Sequence, residues 1–156
     1  MLLPALALLL TSPDVRTGAA VPRAYVYGDC AGGNRAPRLR WSGVPRGARA
    51  LALTMHDSDA PAPGGWTHWL VFRIPPSAAA LGPTLPPGAV QARNDFGTPG
   101  YGGPCPPPGP AHHYVFRLDA LDAALPLSAG TTYAAYEQAR RGHVIASATI
   151  VPTYAR

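Results

Sequence analysis

The chain has 156 residues, 47% hydrophobic and 13% charged, with a net charge of +5. That length makes one domain, with enough apolar content for a core. The basic residues are mostly scattered arginines without the aromatic interleaving of a nucleic-acid platform, so no nucleic-acid partner is expected. The excess charge reads as a solvated basic surface with a modest pull toward anions. Seventeen Gly and twenty Pro approach a low-complexity level. Apolar runs such as Leu51-Ala52-Leu53 and Trp69-Leu70-Val71-Phe72 recur between them, which instead suggests short buried strands joined by stiff turns.

Residues 1–9 are an apolar extension without a positive leading region, and far too short to span a membrane. They read as the remnant of an export signal or an overcalled start, ahead of a domain over 10–156. Gly18-Ala19-Ala20 mimics a cleavage site. A cytoplasmic location is favoured; a periplasmic or secreted one follows if residues 1–9 belong to a signal. Extended segments broken at Pro13 and Pro22 come next, then a Gly-rich loop over 28–38. Residues 49–56 read as a strand with Leu51 and Leu53 on one face, and 67–74 as a central strand. Residues 75–88 are a Pro-rich connection with room for a short helical turn. Residues 93–111 form one long loop, and such loops in compact domains are normally functional. Residues 112–121 read as a strand. Residues 131–141 are the best helix candidate, with Tyr133, Tyr136 and Arg140 at helical spacing and Gly142 as a stop. Residues 143–151 close as a strand. The expected fold is mainly β and antiparallel-rich, with one or two peripheral helices.

Polar chemistry crowds into three segments: Asp57-Ser58-Asp59-Ala60-Pro61, Gly65-Trp66-Thr67-His68-Trp69, and the stretch from Tyr101 to Tyr114. Residues two apart on an extended chain point the same way, so Asp57 with Asp59, Trp66 with His68, and His112 with Tyr114 can each face one side. Trp offers apolar and cation-attracting surface, and His can donate to a phosphate. An imidazolium ligand would make anion binding tighten as pH falls. The Gly102–Pro107 loop can aim the N–H groups of Gly102, Gly103 and Cys105 at an anion, or simply form a rigid lid. Asp59 is equally well a turn cap, and His68 can be a hydrogen-bonded core residue. His56 should face away from Asp57, and His113 away from His112.

The alternatives are weaker. No H-x-x-x-H or C-x-x-C ligand pair is present, so no metal is assigned. There is no G-x-S-x-G and no P-loop. A Cys105–His112 dyad lacks an orienting third group and sits among prolines. No cofactor and no catalytic residue are therefore assigned, and a hydrolase or metal-dependent enzyme using the same residues is the competing reading. With only Cys30 and Cys105, the default expectation is two free thiols, and a single disulfide is the alternative.

These motifs resemble the phosphatidylethanolamine-binding protein family, or Raf kinase inhibitor-like proteins, of the bacterial and archaeal kind. The family's D-P-D-A-P, G-x-W-x-H-W and G-x-G-P-C-P-P-x-G-x-x-H-x-Y signatures match in order and spacing. Asn34-Arg35-Ala36-Pro37-Arg38-Leu39-Arg40-Trp41, Ala92 to Gly97, Leu118 to Asp122 and Gly142 to Ala146 also fit, and Leu10-Thr11-Ser12-Pro13 resembles the family's first strand. The resemblance covers roughly residues 10–156. It implies a large central sheet with a second small sheet, and a pocket at one end for phosphate or a phosphorylated lipid headgroup. Carried over, that pocket comprises Asp57, Pro61, Trp66, His68, Gly102, Gly103, Pro104, His112 and Tyr114. The resemblance further implies a non-catalytic binding protein, with a kinase or protease as the kind of partner that the family regulates. Ser58 departs from the family's Pro and Ala36 from its Ser.

Overall fold

The computed structural model describes residues 6–156. Its centre is a five-stranded antiparallel sheet. It contains β3 (Ala50–Asp57), β4 (Trp66–Ile74), β6 (Val90–Gln91), β8 (Val115–Leu121) and β9 (Val144–Ile150), in the spatial order β6-β4-β3-β8-β9. A three-stranded sheet of β1 (Leu9–Thr11), β2 (Leu39–Ser42) and β5 (Ala80–Leu81) packs against it. A two-stranded ribbon joins β7 (His112–His113) to β10 (Thr153–Tyr154). One helix, α1 (Tyr133–Ala139), lies on the periphery. None of the described helices is long and apolar enough to cross a membrane.

The alternation in β3 builds two cores. Leu51, Leu53 and Met55 face one way and pack with Trp69, Val71, Leu39 and Trp41 between the two larger sheets. Ala52 faces the other way, with Leu70, Phe72, Leu121 and Tyr136 under α1. All eight residues of β3 are buried, as expected of a strand covered on both faces. Each large apolar side chain so covered stabilises the fold by roughly 1.5–3 kcal/mol relative to exposure.

Several local expectations need correction. The 75–88 connection forms no helix; it contributes β5, whose Ala80 and Leu81 pair with Arg40 and Leu39. The strand expected over 112–121 is broken at Tyr114. Before the break β7 pairs with β10, and after it β8 pairs with β3 and β9, because the Tyr114 N–H donates to the Pro152 carbonyl instead of to either neighbour strand. At the start, β1 takes in Leu9, and Leu8 is already buried in the core.

The two cysteines form a disulfide, not the free thiols expected. The Pro-rich loop docks backbone to backbone on the 24–34 segment: the Tyr27 N–H donates to the Pro104 carbonyl, and the Gly103 N–H to Asn34 Oδ1 at 2.8 Å. A Cβ on Gly103 would lie 2.2 Å from the Tyr25 carbonyl oxygen, so only glycine permits the approach. Docking brings the two Cα atoms to 5.7 Å, within the span a disulfide bridges.

Candidate functional site

At one end of the central sheet lies a cavity of about 230 Å³. Asp57, Pro61, Trp66, His68, His112 and Tyr114 line it, joined by Phe96 and the Cys105-Pro106-Pro107 run. Four pieces of chain converge here: the end of β3, the start of β4, the Pro-rich loop, and the break between β7 and β8.

His68 reaches the cavity through an irregularity in β4. Met55 pairs with Trp69 and His56 with Thr67, so one step on β3 matches two on β4. His68 is the extra residue, and such bulges re-aim side chains at the ends of sheets. Its carbonyl accepts from the Gly102 N–H at 2.9 Å, while its Nδ1 lies 2.7 Å from the Gly102 carbonyl oxygen. A carbonyl only accepts, so Nδ1 carries the proton. Burial lowers the His68 pKa to about 4, overcoming the Gly102 carbonyl, which pulls the other way. The imidazolium expected from the sequence is therefore absent at neutral pH for this residue.

Asp57 closes β3 and is only 2% exposed. Its Oδ1 accepts from the Asp59 N–H at 2.9 Å, and its Oδ2 from His112 Nδ1 at 2.7 Å. That bond fixes the His112 ring and leaves Nε2 without a partner among the described residues. Trp66 Nε1 and the Tyr114 hydroxyl are also buried with no hydrogen-bond partner. Burying an unpaired donor costs about 1–3 kcal/mol, and both donors belong to residues that line the cavity. Burial, reinforced by the Asp57 charge, raises the Tyr114 pKa and keeps the hydroxyl protonated.

The remaining sequence expectations divide. Gly102, Gly103 and Pro104 do not line the cavity. Their polar backbone groups are occupied within the protein: both Gly N–H groups are donated, to the His68 carbonyl and to Asn34, and the Pro104 carbonyl is taken by Tyr27. These residues position His68 and the loop instead of presenting donors to an anion. Asp59 turns away after the strand ends and accepts from the backbone N–H and Nδ1 of His113, both at 2.8 Å. His56 faces the other side of the sheet, stacked on Tyr133 at 3.8 Å between centroids, with Nε2 donating to the Gly64 carbonyl at 2.9 Å. Cys105 contributes a disulfide sulfur, so a Cys–His nucleophile has no thiol to use.

Phe96 was not expected. Its ring stacks on Tyr27 at 3.9 Å and meets the edges of Trp66 and His68. Asn94 sets it in place: the side-chain oxygen accepts from the Phe96 and Thr98 N–H groups, and its amide donates to the Gly100 carbonyl. The available signal was the Asn94-Asp95-Phe96-Gly97 turn at the start of the long loop, with its one large apolar residue.

The chain is thus an antiparallel β domain with a buried Asp–His pair, a bulged histidine and an aromatic wall at one end of its sheet. Residues 11–155 match the phosphatidylethanolamine-binding protein family, and the chain belongs to it. It is 41% identical over 162 residues to the UPF0098 protein YbcL of Escherichia coli, covering 96% of this chain and 88% of the relative. It is 44% identical over 142 residues to a UPF0098 protein of Methanothermobacter thermautotrophicus, covering 87% and 91%. The crystal structure of E. coli YbcL, described as a new member of the mammalian PEBP family, superposes with a TM-score of 0.91 at 39% identity, covering 97% of this chain and 99% of that one.

Proposed function

We propose that this is a non-catalytic binding protein whose cavity takes phosphate or a small phosphorylated group, such as a lipid headgroup. The observation that carries this is the pair of buried, unpartnered donors, Trp66 Nε1 and the Tyr114 hydroxyl, on residues lining the same cavity as His68 and the Asp57–His112 pair. A phosphate oxygen is the acceptor that they lack. Asp57, Pro61, Trp66, His68, His112 and Tyr114 are the proposed contact residues. Gly102, Gly103 and Pro104 are proposed to act through the loop. A regulatory role toward a kinase or protease is proposed from the family resemblance alone. The disulfide favours the periplasmic or secreted alternative over the cytoplasmic one, since thiols stay reduced in most cytosols.

Isothermal calorimetry with inorganic phosphate tests the reading. Binding is expected for the parent, and His112→Ala should weaken it by roughly 1.5–3 kcal/mol, the worth of a hydrogen bond to a charged group. Absence of phosphate binding in the parent, with the fold intact by circular dichroism, refutes it.

A further inference from the structure

Resting on the phosphate reading above, we infer that the cavity selects oxyanions that bring their own proton: inorganic phosphate or a phosphate monoester, whose P–OH donates to His68 Nε2, in preference to sulfate or a phosphodiester. The hydrogen-bond inventory of the wall leads there. Trp66 Nε1 can only donate, and the Tyr114 hydroxyl is free to donate. His68 is different. The Gly102 carbonyl at 2.7 Å holds the proton on Nδ1, so Nε2 is a bare lone pair and accepts. Exchanging the tautomer would set the Nδ1 lone pair against the carbonyl oxygen. Adding a second proton would place a charge on a side chain whose residue is 2% exposed.

The charge balance agrees. Asp57 and His112 are the titratable groups that meet at this wall with His68 and Tyr114; His56 belongs to the opposite face of the sheet. The buried Asp57 carboxylate supplies one negative charge, and a protonated His112 at most cancels it. The wall thus has no net positive charge to offer a dianion, and it presents an acceptor to any ligand. A sulfate or a phosphodiester carries oxygens alone, so one of them would face the His68 lone pair with no proton between. A monoester has a second pKa of about 6 and holds a P–OH below it; inorganic phosphate keeps one throughout the neutral range. Phe96 and Tyr114 set their rings edge-on to the His68 ring, at 5.6 and 5.1 Å between centroids. They give it no other donor.

The test is competition calorimetry on the whole protein at about pH 6, where the monoester is substantially protonated. The four probes are inorganic phosphate, methyl phosphate, dimethyl phosphate and sulfate. Methyl esters are chosen because they carry no ammonium group that could donate to His68 instead. Phosphate and methyl phosphate are expected to bind at least about tenfold more tightly than sulfate and dimethyl phosphate, the size of one lost hydrogen bond to a charged partner. Sulfate or dimethyl phosphate binding as well as the monoester overturns the selectivity and leaves the phosphate pocket standing. If none of the four binds, the pocket reading fails, and the selectivity with it.

His68→Gln, whose amide can turn a donor toward the ligand, should narrow the phosphate-to-sulfate ratio severalfold. Because that variant may not fold, the imidazole nitrogens of the parent protein are also read by nitrogen-15 NMR. The His68 Nε2 resonance should start at the unprotonated position and shift on adding methyl phosphate, as an accepted hydrogen bond requires. A resonance showing a protonated Nε2 overturns the proposal. Vesicles distinguish the source of the monoester. Co-sedimentation with phosphatidic acid, but not phosphatidylcholine, supports the selectivity with a lipid ligand. Methyl phosphate binding without vesicle capture supports it with a soluble one.

Discussion

His68 couples the cavity to the stability of the whole chain. Its folded pKa of about 4 lies below the unfolded value of about 6.5. Between those values the unfolded state binds more protons, so stability rises with pH. The contribution is complete above about pH 6.5 and is lost as pH falls toward 4, amounting to about 3 kcal/mol. His56, also lowered by burial, adds in the same direction. Asp14, held far down by its hydrogen bonds to Arg38, acts only below the ordinary carboxylate range. Urea midpoints from pH 7 to 4 should therefore fall steeply for the parent and less for His68→Gln. Parallel curves would show that His68 is not the group responsible. At this scale the sequence singled out His68 with Asp57, Trp66, His112 and Tyr114, which line one cavity. It missed the protonation state, which burial sets, and the tautomer, which a carbonyl thirty-four residues away fixes.

Helix α1 is short, and two devices hold it in place. Thr132 caps it by accepting from the Ala135 N–H at 3.1 Å. Thr132→Ala should cost about 1 kcal/mol, read as a shift in urea midpoint, with no change in phosphate affinity because α1 does not line the cavity. The second device is Asp119, fully buried on β8. It accepts from the Tyr136 hydroxyl at 2.7 Å, from Arg140 at 3.4 Å, from Arg117 at 3.3 Å and from the Ser147 hydroxyl. One carboxylate thereby ties the helix to two strands. Asp119→Ala would strip the Tyr136 hydroxyl of its acceptor and Arg117 of one of its two carboxylates, Glu137 being the other, and breaking such a buried network costs about 3–5 kcal/mol. Thermal unfolding should show a loss several times larger than that of the cap variant. A comparable or smaller loss would mean that Glu137 alone compensates the Arg117 charge. The helix was legible from Tyr133, Tyr136, Arg140 and Gly142, but the purpose of Tyr136 and Arg140 was not. Their partner sits on a strand that the 3.6-residue period does not describe.

Across the whole molecule, the disulfide closes a sequence separation of 75 residues. Such a crosslink restricts the unfolded chain and typically stabilises by about 2–4 kcal/mol. Reduction, or Cys30→Ala with Cys105→Ala, should lower the unfolding midpoint accordingly. It should also loosen the Cys105-Pro106-Pro107 wall, lowering phosphate affinity without abolishing it. An unchanged midpoint on verified reduction would show that loop docking through Tyr27, Asn34 and Pro104 suffices. Saturating phosphate should raise the midpoint, by the equivalent of about 2.7 kcal/mol at a hundredfold excess over the dissociation constant.

The sequence by itself determined the mainly β fold, the single domain, and the three segments that supply the cavity. Periodicity, turn residues and motif spacing are local properties, and each can be read within ten or twenty residues. Tertiary structure decided whatever depends on pieces of chain meeting at a distance. The bulge that aims His68 shows itself only in the register between β3 and β4. The use of the Gly102 and Gly103 N–H groups depends on what docks against them, and the fate of Cys105 on where residues 24–34 fold. Phe96 became part of the wall because Asn94 builds a turn beneath it. A side chain's type is written in the chain, but its proton, its partner and its exposure are set by the atoms packed around it.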